Sequence, residues 1–362
     1  MTQNQEKSEI TINDQMKKFL VKGFYGFNTI LTFGLGRRLG IFDYLYEKSK
    51  TLSDLKAISS ISFTPEELSE NLKLSSVHID AWVHMGLECG IFEIENASTR
   101  SIKTGPHVFN LLVDRNHMFY IGDPIGLFYY LAPLQDYIID VFKTGKIDIS
   151  ALPEKVFKEG QLSSARAGEL TERLFSSTHR EFCKVIKKGG NILAVGCGYG
   201  FNLENWAKKY RRAKFVGIDI DPMGIKGTKK MIEDNKWSDR VEAFEISVDE
   251  YTKNTDTKFD LIMLNQVLHE MDSSDEYRRS VFKDLYSLLK DDGIFLIIET
   301  IVPDLFAKKE RSQLFEIMHK FFEAGFARFY NEKSFEEFVE TTPFKNAKLI
   351  KERGNYFWEL KK

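Results

Sequence analysis

Cysteine is scarce in this chain, at three residues in 362. Cys89, Cys183 and Cys197 have no spacing suited to a metal, so no metal is expected, and an intracellular, reduced protein is expected rather than a disulfide scaffold. Neither sign of charge dominates. The 51 Lys and Arg stand against 53 Asp and Glu, which leaves a net charge of −2 without the basic excess of a dedicated nucleic-acid binder. No apolar run approaches the roughly 18 residues that span a bilayer. The first residues, MTQNQEKSEITIND, carry no basic-then-apolar signal pattern. Internal repeats, low-complexity tracts and a G-K-[ST] phosphate loop are missing as well. What survives these exclusions is a soluble, cytoplasmic protein of about two domains with neither nucleic acid nor membrane as partner.

Aromatic residues, by contrast, are abundant, with 30 Phe and 14 Tyr. Residues 14–45 read as a long helical region in which Phe19, Leu20, Phe24, Phe27, Ile30, Leu31 and Phe33 are too many for one face. Such a helix needs apolar partners on more than one side, within its own domain or from a second subunit. Thr64-Pro65-Glu66-Glu67 is a helix start. A second helix through Trp82 to Cys89 and a small hairpin over 91–103 complete a winged-helix pattern. From Thr64 to Thr99 there are seven acidic residues and one lysine, Lys73, the wrong balance for reading DNA. A structural role is therefore expected for it. The division expected is a helical and winged-helix domain over 1–145, a linker and connecting helix over 146–185, and an α/β domain over 186–362. Within that middle segment the mixed Gly, Pro, Ser and Lys stretch 144–168 reads as linker, and helix is expected from Glu169.

Everything downstream is organised around residues 191–221. An apolar strand over 192–195 breaks into a turn at Gly196, Gly198 and Gly200, a helix follows, and a second strand over 214–218 ends on Asp219. This is one βαβ unit shaped for an adenosine-type ligand, with an acid placed to accept from ribose hydroxyls. The spacing G-x-G-x-G, with Phe201 where a dinucleotide fingerprint places its third glycine, argues against a dinucleotide. It resembles the S-adenosylmethionine (SAM) site of class I methyltransferases. Strands and helices continue to alternate to the end of the chain, which predicts a doubly wound, Rossmann-like parallel sheet with an antiparallel edge.

The order of winged helix then βαβ domain is similar to that of the small-molecule O-methyltransferases of the caffeate, isoflavone and hydroxyneurosporene type. The blocks that carry the resemblance are LGIFDYL (39–45), TPEELSENLKL (64–74), WVHMGLECGIFE (82–93), VGCGYG (195–200), FVGID (215–219), NQVLHEMDSSDE (265–276), GIFLIIETIVPD (293–304) and NEKSFEEF (331–338). The resemblance implies a SAM-dependent methyl transfer to a small molecule, most often at a hydroxyl, by a homodimer joined through its N-terminal helices. It implies His269 as the general base, flanked by Glu299 and Glu332; a neutral imidazole suits proton abstraction near pH 7. It places SAM on Gly196, Gly198, Gly200, Asp219, Ile220, Ser247 and Asn265, and the substrate pocket near Met318, Phe321, Phe322 and Arg328. Two departures stand out. Ala194 occupies a position where the family keeps an acid, and Ser247 another, with Asp249 two residues on. Carbon, nitrogen or sulfur methylation on the same fold, without a histidine base, is the first alternative reading. A SAM-binding regulator or a non-methylating member of the family is the second.

Overall fold

The computed structural model describes residues 11–52, 60–145, 152–302, 314–323, 327–344, 346–352 and 355–362. The chain separates into two units, Met1–Pro133 and Leu134–Lys362.

In the first unit, helix α1 (Ile12–Leu20) continues through a π-helical turn, Val21–Tyr25, into α2 (Gly26–Arg38). Then come α3 (Ile41–Leu52), strand β1 (Ser62–Phe63), α4 (Pro65–Leu72), α5 (Ser76–Glu88), β2 (Phe92–Asn96), β3 (Ser101–Thr104), α6 (Val108–Leu112) and α7 (Gly122–Leu131). Helix α4 starts as its sequence predicts. Thr64 accepts the Glu67 N–H at 3.1 Å, and Pro65 fills the first position, where its missing N–H costs nothing. The core gathers Phe33, Phe42, Phe63, Trp82 and Phe92 with ring centroids 5.1–6.3 Å apart. The small hairpin pairs β2 with β3, and β1 adds a third antiparallel strand.

The second unit opens with α8 (Gln135–Thr144), α9 (Glu154–Thr178) and α10 (Arg180–Gly189). Its sheet then takes β4 (Asn191–Val195), β5 (Lys214–Asp219), β6 (Val241–Glu245), β7 (Phe259–Asn265), β8 (Leu289–Ile298), β9 (Ala347–Glu352) and β10 (Asn355–Leu360). Between strands lie α11 (Phe201–Lys209), α12 (Pro222–Asp234), α13 (Val248–Lys253), α14 (Asp275–Leu288), α15 (Leu314–Glu323) and α16 (Glu332–Glu340). The strand order is β6-β5-β4-β7-β8-β10-β9. Pairs from β6 to β8 are parallel, and β10 is antiparallel to both β8 and β9. Alternate residues face opposite cores. Ile192, Ala194, Leu261 and Met263 join one apolar cluster, while Leu193, Val195, Ile262 and Leu264 join the other.

Two local readings change. The stretch expected to be linker is helical from Glu154, because α9 buries Val156, Ala165, Thr171, Leu174 and Phe175, the last two in an apolar cluster of the sheet. Tertiary burial outweighs the poor helix propensity of Gly160, Ser163, Ser164 and Gly168. Asp291-Asp292-Gly293, which in sequence reads as a turn into the strand from Ile294, is an irregularity inside β8. Register with β7 jumps from Phe259↔Leu289 to Leu261↔Ile294, so the extra residues bulge out of the ladder.

Candidate active site

The carboxyl ends of the parallel strands carry two groups of functional side chains. The first lies between β4 and α11. There the chain turns through Gly196, Gly198 and Gly200 with φ of +63°, +50° and +80°, a conformation that L side chains disfavour. Space is closed as well. A Cβ on Gly196 would meet Val267 Cγ2 at 2.5 Å, and one on Gly198 would meet Gln161 Oε1 at 2.1 Å. The Gly198 N–H donates to Asp219 Oδ2 at 2.7 Å and the Asp221 N–H to Asp219 Oδ1 at 2.9 Å. The acid that ends β5 therefore braces the loop. Burial pushes the Asp219 carboxyl upward, against the pull of these backbone donors. Each of its oxygens keeps a lone pair for a ribose hydroxyl.

Ile220, next in the chain, is 75 % exposed, an apolar surface left open beside the acid. Ser247, two residues past the end of β6 and just before α13, donates to Asp249 at 2.6 Å. Asn265 ends β7 and donates through Nδ2 to the Ser164 carbonyl at 3.3 Å. Its Oδ1 is buried without a hydrogen-bond partner, and so is Asn202 Oδ1. These two oxygens lie together under α9, since a Cβ on Gly168 would come 2.1 Å from one and 2.9 Å from the other. Bare, buried carbonyl oxygens are costly unless a donor completes them. An ammonium group such as the one on the methionyl end of SAM supplies that donor, so the residues present fit the cofactor. Ala194 contributes only apolar packing to this end of β4.

The second group centres on His269. After β7, Gln266 takes φ of +56° and a single 3₁₀ turn, Leu268–Glu270, sets His269 inside the domain at 1 % exposure. Its Nδ1 lies 2.6 Å from Glu299 Oε1, and its backbone N–H donates to Glu299 Oε2 at 3.2 Å. Phe329 stacks on the ring at 4.9 Å. The buried Arg278 donates to the carbonyls of His269 and Met271. On the other ring nitrogen, Nε2, sits Glu323 Oε2 at 3.0 Å. His319, one turn earlier on α15, reaches Glu323 Oε1 with its own Nε2 at 2.9 Å. Burial alone would lower the His269 pKa. The Glu299 carboxylate, with Glu323 adding to it, outweighs that and holds it well above the ordinary histidine value. Glu323 is held at about 2: burial would raise it, but both histidines oppose that more strongly.

His269 and Glu299 are thus brought together as the sequence suggests. Glu332 is not. It opens α16 half-exposed and ion-paired with Lys351 of β9, and the second flank of His269 belongs to Glu323. Arg328 turns away from a pocket role. Its N–H donates to the His269 carbonyl at 2.9 Å and its guanidinium to the Ser273 carbonyl at 2.7 Å, with Tyr330 5.3 Å beneath. Met318 is partly buried on α15, Phe321 is half-exposed against Phe142, and the Phe322 side chain lies outside the described residues. Glu270, beside the histidine, is exposed. The sequence reading missed His319, Glu323 and Gln161. His319 and Glu323 are four apart in a helical stretch, a spacing that places two side chains on one face.

A seven-stranded sheet in this order, with a glycine turn after β4 and an acid ending β5, is the class I methyltransferase fold. Residues 193–295 match the family model described as a methyltransferase domain. Over 114 residues the chain is 31 % identical to the ribosomal protein L11 methyltransferase of Thermosipho africanus, a match covering 32 % of this chain and 39 % of that protein. The chain thus spans about two fifths of that relative's length. In structure it is similar to human N-acetylserotonin methyltransferase in complex with SAM, with a TM-score of 0.63 at 14 % identity over 98 % of both chains. An O-methyltransferase family protein from Burkholderia thailandensis gives a TM-score of 0.62 at 16 % identity, over 97 % of this chain and 98 % of that one. The match to a methyltransferase domain thus covers residues 193–295, and the fold of O-methyltransferase structures extends over nearly the whole chain.

Proposed function

We propose that the chain transfers the methyl group of SAM to a hydroxyl of a small molecule, with His269 as general base. The observation that carries this is the buried His269–Glu299 pair at the carboxyl end of β7, close in sequence to Asn265 and its orphaned oxygen. Bound SAM supplies an electrophilic methyl on a sulfonium. The glycine turn and Asp219 would hold its nucleoside end, Ile220 the adenine face and Asn265 the amino-acid end, with Ser247 just past the end of β6. Glu299 accepts the Nδ1 proton of His269, which fixes the tautomer that leaves a lone pair on Nε2. That lone pair takes the hydroxyl proton once the acceptor has replaced Glu323 at Nε2. General base catalysis of this kind contributes about 10²–10⁴ in rate. Alignment of acceptor and methyl contributes at least as much.

Glu323 on Nε2 is also the observation that favours a second reading, methylation of carbon, nitrogen or sulfur without a histidine base. One experiment separates them. The chain is incubated with methyl-labelled SAM and a panel of phenols, polyketides, amines and thiols. The label is then located in the product by mass spectrometry and NMR. Label on oxygen supports the hydroxyl reading; label on nitrogen, sulfur or carbon alone overturns it. A second copy of the chain is the partner we infer for the N-terminal helices. Support comes from Ile12, Met16, Phe19, Leu20, Val21, Phe24 and Phe27, apolar residues all left exposed there. The acidic helix–helix–hairpin segment supports a winged helix with a structural role.

A further inference from the structure

Three lone-pair donors converge beside the proposed base. His269 Nε2 and Glu323 Oε2 are 3.0 Å apart, His319 Nε2 and Glu323 Oε1 are 2.9 Å apart, and one donor atom from each residue lies within 4.8 Å of the others. The two imidazole rings meet edge to face at 4.6 Å. His269 Nε2 and Glu323 Oε2 are buried, yet they lack hydrogen-bond geometry toward any partner.

The other nitrogen of each ring is already engaged. His269 Nδ1 lies against Glu299 at 2.6 Å. His319 Nδ1 lies 2.8 Å from Thr300 Oγ1, whose own proton goes to Gln266 Oε1 at 2.8 Å, so the histidine is the donor. With Nδ1 engaged behind them, both rings aim Nε2 at the same carboxylate, where a metal ion would take the place of the proton that His269 Nε2 carries in the imidazolium. Protein metal sites are built in this way. Each ligating histidine is oriented by a carboxylate or oxygen acceptor behind it. Two imidazoles and a carboxylate are, moreover, a known donor set for divalent transition metals. Charge points the same way. Once a metal has displaced the Nε2 proton and left the rings neutral, the negative charges of Glu299 and Glu323 are balanced by one divalent cation.

We infer that His269, His319 and Glu323 form a binding site for a divalent transition-metal ion, Zn²⁺ being the best match to the donor set. Two residues of the site come from one face of α15 and one from the turn after β7. The metal takes the Nε2 lone pair that proton abstraction needs, so the metal-bound form is one in which His269 is not a base. That consequence rests on the proposed function, whereas the binding does not.

The test reads binding directly and without any methyl acceptor. Untagged full-length chain is stripped with chelator, then titrated with Zn²⁺ by calorimetry and with Co²⁺ by visible absorption. One equivalent per chain is expected, with the ligand-field bands of a nitrogen- and oxygen-bound Co²⁺. His319→Ala and Glu323→Gln should each weaken Zn²⁺ binding by more than the roughly 10–100-fold expected for Thr300→Val, which removes no ligand but takes away the support behind His319 together with the Thr300–Gln266 hydrogen bond. SAM affinity, measured on the same variants, should stay at the wild-type value and shows that they are folded. Zn²⁺ binding by wild type no tighter than by the His319→Ala/Glu323→Gln double variant overturns the site. Product formation is not an outcome here, so failure of the metal site and failure of the hydroxyl reading are told apart.

Discussion

A carboxylate at each ring nitrogen makes His269 a different group from a lone imidazole. Glu299 and Glu323 together favour the imidazolium, and the ring becomes a base only when Glu323 gives up Nε2. If the base role holds, His269→Ala leaves SAM binding intact and lowers turnover about a hundredfold or more. Turnover within about threefold of wild type would sink that role. Glu332→Gln is expected to change turnover by less than about threefold, because the residue makes a half-exposed surface pair with Lys351. A tenfold loss would return Glu332 to the site. Gly196→Ala has two costs, about 1–2 kcal/mol for its left-handed backbone and a clash with the stiff Val267 side chain. Weaker SAM binding by calorimetry is the expected result. At this scale legibility depended on whether a constraint was local. The glycines and Asp219 could be read because a tight turn and a strand-end acid are properties of a few adjacent residues. The partner of His269 Nε2 comes from a helix about fifty residues away, and matching short motifs chose Glu332 where packing chose Glu323.

Helix α9 and strand β10 meet through a second buried pair, in which His179 Nε2 lies 2.6 Å from Glu359 Oε2. His179 follows α9 and stacks on Phe175 at 4.6 Å. Burial would raise the Glu359 carboxyl, but His179 and then Lys361 outweigh it and bring it down to about 2, from the ordinary 4.5. A depressed acid stabilises the fold fully above its unfolded pKa, and the contribution fades as pH falls from about 4.5 toward 2. Glu359→Gln should therefore lower stability at pH 7 by about 2 kcal/mol. In thermal melts the gap to wild type should narrow on acidification through that window; a constant gap would contradict the pairing. The alternation of strands and helices that sets the sheet order was legible, because buried parallel strands are short apolar runs between glycines. The start of α9 was not. Its Gly and Ser residues look like linker until the sheet they cover is in place, and Gly168 is required where the helix passes Asn202 and Asn265.

For the molecule as a whole, the N-terminal segment leaves a run of apolar residues exposed among the described residues. None of the residues of α1 or of the π turn is buried. If a second copy covers them, Phe24→Asp shifts sedimentation from dimer to monomer; an unchanged dimer places the interface elsewhere. That the segment is apolar most of the way round was plain from its composition. What covers it was not, because the sequence describes one chain. The π turn at Val21–Tyr25 adds a constraint of its own. An α-helix advances about 100° per residue, so one residue inserted in a turn rotates everything before it by roughly that angle relative to everything after it. The turn is in this sense a phase shifter between Ile12–Leu20 and Gly26–Arg38. Deleting the single residue Gly23, where even an added Cβ would meet no neighbour, should misalign the apolar residues on either side of the turn and impair self-association more than loss of any one exposed phenylalanine.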